Sequence, residues 1–291
     1  MSTTPLLAII GGSGLYDLPG LTDTRWETVD TPWGAPSDQI FRGRLHDADL
    51  AFLPRHGRGH RIPPSEVNDR ANIAALKSVG VTDVLSLSAV GGLRADLPPG
   101  TCVVVDQFID RTVARDKSFF GTGLVAHVSM AKPVCSRLGD HVQAALAQQA
   151  VPHVRGGTYL AMEGPQFSTL AESQLYRSWN CSVIGMTNMP EAKLAREAEL
   201  CYASVGMVTD FDCWHPAHDA VTVDAVIQVL LSNASAARTL VAGLAGTITA
   251  DTRAPACACR HALEFALITA PDARDPAMVA RLRSVAGRVL G

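Results

Sequence analysis

The chain has 291 residues, 47% of them hydrophobic, enough to bury a large core; its net charge of −3 and pI near 6.3 give no broad basic field. Nucleic acid and anionic membrane are therefore poor partners, and a small polar substrate fits better. No apolar run approaches the ~20 residues of a membrane span. The N-terminal "MSTTPLLAIIGGSG" has no basic segment ahead of its apolar residues, so a cytoplasmic protein is expected.

Apolar runs alternate with helical patterns along the chain, which points to one large α/β domain. The first run, "LLAIIGG", leads into Gly11, Gly12, Ser13 and Gly14. A strand followed by a Gly-rich turn offers backbone N–H groups and a hydroxyl to an anion. Neither a dinucleotide fingerprint nor a P-loop is present, since the third glycine of the first and the lysine of the second are missing. A second run, "LAFLP", ends in Arg55, His56, Arg58, His60 and Arg61 around Gly57. Such a cluster is either a solvated basic loop or an oxyanion site, for which the guanidinium fork is well matched. The third run, "VLSLSAVGG", is an alternating strand ending in Ser88, Ala89 and a Gly91–Gly92 turn; these three strand ends could share one anion.

Further on, "GTYLAMEGPQFSTLAES" sets Phe167 after a Gly-Pro break, as a core residue or a cover for a flat ligand. The segment "CSVIGMTNMPEAKLARE" predicts a strand over Cys181–Met186, a turn at Thr187 and Asn188, and a helix opened by Pro190 and Glu191. The apolar run from Cys201 to Val208 predicts a buried strand with Thr209, Asp210 and Asp212 at its exit, where open α/β sheets bind ligands. An isolated carboxylate pair is more often a turn or cap.

Seven cysteines in a chain of this length do not form a secreted disulfide framework. Cys257 and Cys259 make a CxC, but no second Cys/His pair stands nearby in the sequence, so no metal site is expected. A redox or disulfide role stays open, because Cys135, Cys181, Cys201 or Cys213 could approach in space. The end of the chain, "DPAMVARLRSVAGRVL", has an Arg-rich helical pattern. Residues 1–270 are expected to form the main domain and 271–291 a helical tail docked on the surface or on a neighbour.

The ordered set "IIGGSGL", "VDTPWGAPSD", "RHGRGH", "SAVGGL", "DQFIDRT", "EGPQFSTLAES", "GMTNMPEAKLARE" and "TDFDCW", over residues 7 to 245, resembles the purine nucleoside phosphorylase family, in its branch acting on methylthioadenosine. The resemblance implies a single α/β domain with a central mixed, partly barrel-like β-sheet flanked by helices, and a homotrimer. It implies phosphorolysis of the N-glycosidic bond of 5′-methylthioadenosine to adenine and 5-methylthioribose 1-phosphate, with adenosine as a further possible substrate. Phosphate is then a co-substrate and no cofactor is needed.

By the same resemblance, Ser13, Arg55, His56, Ser88, Ala89 and Thr187 gather phosphate and Met186 lies against the ribose. Phe167 covers the purine, and Asp210 and Asp212 meet its N7 and amino edge, with Asp210 as general acid. Ser168 and Val223 tune specificity, and His127 reaches the methylthio end of a neighbouring subunit's site. The chain departs from the family pattern at Gln166, where Arg is usual, at Ser13, where Thr is common, and at Asp69, where an aromatic is usual. A CxC near the C-terminus occurs in prokaryotic and archaeal members. Two competing readings are a phosphorylase of 6-oxopurines such as methylthioinosine, inosine or guanosine, and a catalytically silent nucleoside-binding protein. Aspartate at 210 and 212 favours a 6-amino donor over a 6-oxo acceptor.

Overall fold

A computed structural model describes residues 6–12, 15–216, 223–248 and 257–291, with side chains from 233 onward in the third of these segments. The strands are β1 (Leu6–Gly11), β2 (Thr22–Glu27), β3 (Ile40–Leu45), β4 (Ala48–Pro54), β5 (Val81–Gly92), β6 (Cys102–Val105), β7 (Gln107–Asp110), β8 (His153–Arg155), β9 (Thr158–Ala161), β10 (Val183–Gly185) and β11 (Cys201–Asp210). The helices are α1 (Asp69–Ser78), α2 (Ser136–Gln148), α3 (Leu170–Ser178), α4 (Glu191–Glu197), α5 (Val223–Thr247) and α6 (Pro276–Leu290).

All eleven strands form one mixed sheet in the order β2-β3-β4-β1-β5-β10-β9-β7, with a branch β5-β11-β6-β8. The branch point is β5, whose body runs parallel to β1 and β11 while Gly91 and Gly92 pair antiparallel with β10. Only Asp106 separates β6 from β7 in the chain. The two arms are thus joined covalently, which closes β5, β10, β9, β7, β6 and β11 into a ring and accounts for the barrel-like half of the sheet.

Period-2 alternation divides the apolar side chains between two cores. Leu6, Ala8 and Ile10 of β1 pack with α1, α4 and α6, whereas Leu7 and Ile9 pack with α2 and α5. Strand β11 is buried throughout its first nine residues and includes Thr209 and Asp210, so these lie in the strand rather than beyond it. In β5 the serines do not mark a solvent face. Ser86 is fully buried, because a central strand covered on both sides has no wet face.

Helix starts follow their caps. The Asn68 side chain accepts the Ala71 N–H of α1, and Thr169 with Glu172 forms a complete capping box on α3. The terminal helix α6, opened by Asp275 and Pro276, buries Leu282, Val285 and Ala286 in the same core as α1 and α4. Each of its two larger side chains contributes about 1.5–3 kcal/mol when buried.

Candidate active site

The carboxyl ends of parallel strands β4, β1, β5 and β11 lie side by side. This is the edge at which open α/β sheets hold ligands. The chain leaves β4 through Arg55 and His56, with the Arg55 N–H donating to Gly11 O at 3.0 Å. A cavity here is lined by Arg55, His56, Asp69, Arg115, Met186 and Thr187.

Arg55 is only 4% exposed and Glu191, at the N-terminus of α4, 2%. Arg55 Nε donates to Glu191 Oε2 at 3.0 Å, Nη1 to Leu87 O at 3.0 Å and Nη2 to Ser86 Oγ at 2.6 Å. Most of its five N–H groups are therefore engaged, and the fork is fixed before any ligand arrives. Burial alone would raise the Glu191 carboxyl pKa, but the Arg55 charge outweighs it and holds the carboxyl below its ordinary value. Tyr202 Oη also donates to Glu191, at 2.7 Å.

Buried Asn188 links this pair to the hydroxyls. Its Nδ2 donates to Ser86 at 3.0 Å and Tyr202 at 2.8 Å, while its Oδ1 accepts from Ser88 at 3.1 Å and Thr187 at 2.9 Å. Ser88, in β5, and Thr187, in the loop after β10, are thus aimed at one amide. His56 contacts the Ile62 carbonyl through Nδ1 at 2.9 Å; since a carbonyl only accepts, Nδ1 carries the proton and Nε2 is left as an acceptor. Burial and the Arg55 charge push its pKa down to about 4, so the ring is neutral at pH 7.

Sequence reasoning missed Glu191 as a partner, Asn188 as the hub, and Arg115. Arg115 Nη1 donates to both Met186 O and Met189 O at 2.8 Å, and its Nε to Glu163 Oε1 at 3.1 Å, tying together the loops after β7, β9 and β10. Gly164 belongs to the same closure: at φ 73°, a Cβ there would stand 2.5 Å from Met186 Sδ. Buried Glu191 and Asn188 are singular residues beside a helix start, and no sequence period singles them out.

Asp210 and Asp212 stand at the end of β11. Thr209 Oγ1 donates to Asp210 Oδ2 at 2.6 Å and the Asp212 N–H to Asp210 Oδ1 at 2.7 Å. The turn is pinned by Trp214 Nε1, which donates to Gly92 O at 2.7 Å. A Cβ at position 91 would lie 3.0 Å from Asp210 Oδ1 and 3.2 Å from Asp212 Cβ, so a larger residue there would crowd the carboxyl pair. Among the described residues neither aspartate has a cationic partner within salt-bridge distance. Burial raises the pKa of both, and for Asp212 the charge of Asp210 adds to it.

Several other expected residues gather nearby. Ala89 neighbours Met207 across β5 and β11, and Ser168 Oγ contacts Met162 Sδ at 3.7 Å. Phe167 is 47% exposed, which overturns the core alternative for it. His127 is not brought to this cavity; it is exposed, with its N–H on Ala266 O. Ser13 and the side chain of Val223 lie outside the described residues. The expectation that Cys257 and Cys259 lack a second pair of ligands fails, because Cys135 and Cys201 come to them from separate elements; Cys181 and Cys213 do not. At position 69 the aspartate faces the cavity, and burial, then the charge of Glu191, raises its pKa to about 7.

Known proteins share this architecture. Residues 6–245 match the family model described as the Phosphorylase superfamily. The chain is 63% identical over 287 residues to an S-methyl-5′-thioadenosine phosphorylase of Rhodospirillum rubrum, covering 99% of this chain and 98% of the relative. It is 58% identical to the protein of that name from Bradyrhizobium diazoefficiens, covering 99% of each. A crystal structure of a methylthioadenosine phosphorylase from an antarctic soil metagenomic library superposes with a TM-score of 0.91 at 46% identity, covering 97% of this chain and 99% of that one. A Schistosoma mansoni methylthioadenosine phosphorylase in complex with adenine gives 0.81 at 36% identity, covering 89% and 98%. The chain belongs to the phosphorylase superfamily, in its S-methyl-5′-thioadenosine phosphorylase group.

Proposed function

We propose that this enzyme cleaves the N-glycosidic bond of 5′-methylthioadenosine with phosphate, giving adenine and 5-methylthioribose 1-phosphate, and accepts adenosine as a further substrate. One observation carries the reading. A donor-lined cavity beyond the end of β4 lies on the same edge of the sheet as a carboxyl pair at the end of β11 that has no cationic partner among the described residues. Phosphorolysis needs these two functions and no covalent nucleophile from the protein.

In the proposed mechanism Arg55, Ser88, Thr187 and the Ala89 backbone, with Ser13, hold the phosphate, and His56 Nε2 accepts the P–OH hydrogen of the dianion HPO₄²⁻. Met186 lies against the ribose and Phe167 covers the purine. Asp210 in its protonated form, the form that desolvation favours, donates to N7 as the C1′–N9 bond breaks; Asp212 accepts from the 6-amino group. A phosphate oxygen bonds to the cationic C1′ and HPO₄²⁻ releases its proton to solvent on becoming the ester, while Asp210, left as a carboxylate, takes one up from solvent, so the proton adenine has gained is balanced. Fixed dipoles and the Arg55 charge supply most of the stabilisation, since they need no reorientation during the reaction. Phosphate is the co-substrate, and no cofactor takes part. Ser168 and Val223 adjust substrate choice.

The proposal includes a homotrimer in which His127 reaches the methylthio end of a neighbouring site. His127 lies on a segment flanked by Val125, Phe265 and Ile268, which are 38%, 92% and 62% exposed, an apolar patch suited to a subunit contact. For the tail 271–291, expected on the surface or on a neighbour, docking on its own subunit is proposed, since Leu282, Val285 and Ala286 of α6 are buried in the core with α1 and α4. A cytoplasmic location is also proposed; among the described residues no helix is long and apolar enough to cross a membrane.

The test follows base release from methylthioadenosine, adenosine, methylthioinosine and inosine, with and without phosphate. Release only with phosphate, fastest from methylthioadenosine, is the expected result. Release without phosphate indicates a hydrolase, preference for the 6-oxo bases moves the enzyme to the 6-oxopurine branch, and tight binding without turnover leaves a silent binding protein.

A further inference from the structure

Four thiols unconnected with the reaction meet at one point. The Sγ atoms of Cys135, Cys201, Cys257 and Cys259 all lie within 4.8 Å of one another. The Cys257 sulfur is 3.6 Å from that of Cys135 and 3.5 Å from that of Cys201. None is bonded to another. Tetrahedral zinc–thiolate coordination with bonds of about 2.3 Å places its sulfurs about 3.8 Å apart, so the observed spacing is that of a four-sulfur shell. Cys135 immediately precedes α2, Cys201 opens β11, and Cys257 and Cys259 belong to the C-terminal segment. Such a convergence of three separate elements on one point is not required by packing.

The surroundings fit the charge of such a centre. Four thiolates and one divalent cation leave two negative charges, and Arg196 Nη1 donates to Cys259 Sγ at 3.7 Å. Arg137 also interacts with the Cys201 sulfur. Cationic donors to ligand sulfurs stabilise and orient them. Three of the cysteines are buried and Cys257 is half-buried, which shields the centre while leaving an entry path.

We infer that Cys135, Cys201, Cys257 and Cys259 form a structural Zn²⁺ site that fastens the C-terminal segment to the starts of β11 and α2. Zinc is the divalent cation that an all-thiolate tetrahedral set selects among redox-inert ions, and a set of four protein ligands leaves no open position for chemistry. The site is remote from the reaction as well. Cys201 and Asp210 are the two ends of β11, about 30 Å apart at 3.3 Å per residue. Binding of the ion releases the thiol protons and closes the long chain segment between Cys201 and Cys257, so metal affinity becomes folding stability of the C-terminal part.

The test uses the full chain purified without a metal-affinity step, with metal measured by mass spectrometry and thiols counted after denaturation in chelator. The expected result is one zinc per chain and seven titratable thiols, the full number in the sequence. Cobalt substituted into the chelated protein should give the intense visible and near-ultraviolet bands of a tetrahedral tetrathiolate. Cys257→Ser and Cys259→Ser should lose the zinc and Cys181→Ser should keep it. Should the serine variants fail to fold, the zinc count and the cobalt spectrum of the wild-type chain decide alone. Seven thiols with no metal and no cobalt spectrum overturn the proposal. Three or five thiols with no metal overturn it equally, and would show that the sulfurs pair as disulfides instead.

Discussion

The two ends of the candidate active site treat charge in opposite ways. Around Arg55 each charge is matched: Glu191 faces the guanidinium, Asn188 and Tyr202 complete the hydrogen bonds, and the pair is almost wholly buried. At Asp210 and Asp212 the donors are neutral hydroxyls and N–H groups, and desolvation raises both carboxyl pKa values. Compensation makes the first end rigid and keeps it charged at every working pH, as suits a site that must position an anion. Lack of compensation shifts the second end toward its protonated form, the direction a proton donor needs. The same burial yields two chemistries because only one of the ends has a counter-charge.

The largest effect is expected at the uncompensated end. Asp210→Asn keeps shape but cannot transfer a proton, and turnover of methylthioadenosine should fall by roughly 10² to 10⁴. The amide can donate to a 6-oxo group, so the ratio of methylthioinosine to methylthioadenosine turnover should rise. Equal rates with unchanged preference would reduce the carboxyl pair to a turn.

At the compensated end, Arg55→Ala should raise the phosphate KM about tenfold or more, from a charge-assisted contact of roughly 1.5–3 kcal/mol. It also strands Glu191 without its partner, a loss of about 3–5 kcal/mol in stability. Urea unfolding beside phosphate titration separates the two. A variant as stable as the wild type with an unmoved phosphate KM would show that the pair is neither buried in solution nor near the anion.

Asp69 lies between the two behaviours, buried beside the cavity with a pKa raised to about 7. A carboxyl whose folded pKa exceeds its unfolded value of 3.8 helps the fold only while protonated: the benefit is full below about pH 4 and lost as pH rises through about 7. Asp69→Asn should therefore stabilise the protein at pH 8, by up to ~4 kcal/mol, with the gain vanishing toward pH 4. It should also lower the phosphate KM at pH 8, by removing a negative charge that faces the anion. Melting curves across this range that run parallel for both proteins would contradict the placement of Asp69.

Much of the fold was legible because its strands are unusually uniform. The run from Cys201 to Val208 and "LLAIIG" are buried on both faces and so read as apolar blocks, and Pro190 with Glu191 marks the start of α4. Arg55, Ser88 and Asp210 were visible as polar residues at the ends of such blocks. What escaped was pairing. Nothing local couples Arg55 to Glu191 across 136 positions or Asn188 to Ser88 across 100, and the CxC gives no hint of Cys135 and Cys201. The extra two residues of β11 escaped as well, since Thr209 and Asp210 are polar yet remain paired with β5 or bonded to it.

The account rests on Asp210 being the proton donor of a site whose counter-charged pair, Arg55 and Glu191, lies at its other end. The most direct measurement is the pH dependence of kcat/KM for methylthioadenosine at saturating phosphate, with Asp210 or Asn at position 210, both in the Asp69→Asn background so that the buried carboxyl facing the phosphate cavity does not titrate. With Asp210 present, the rate should be highest on the acid side and fall as pH rises through the raised pKa of that carboxyl. With Asp210→Asn, it should be low and without that limb. The same descending limb in both proteins would contradict the account, because the titrating acid would then lie elsewhere.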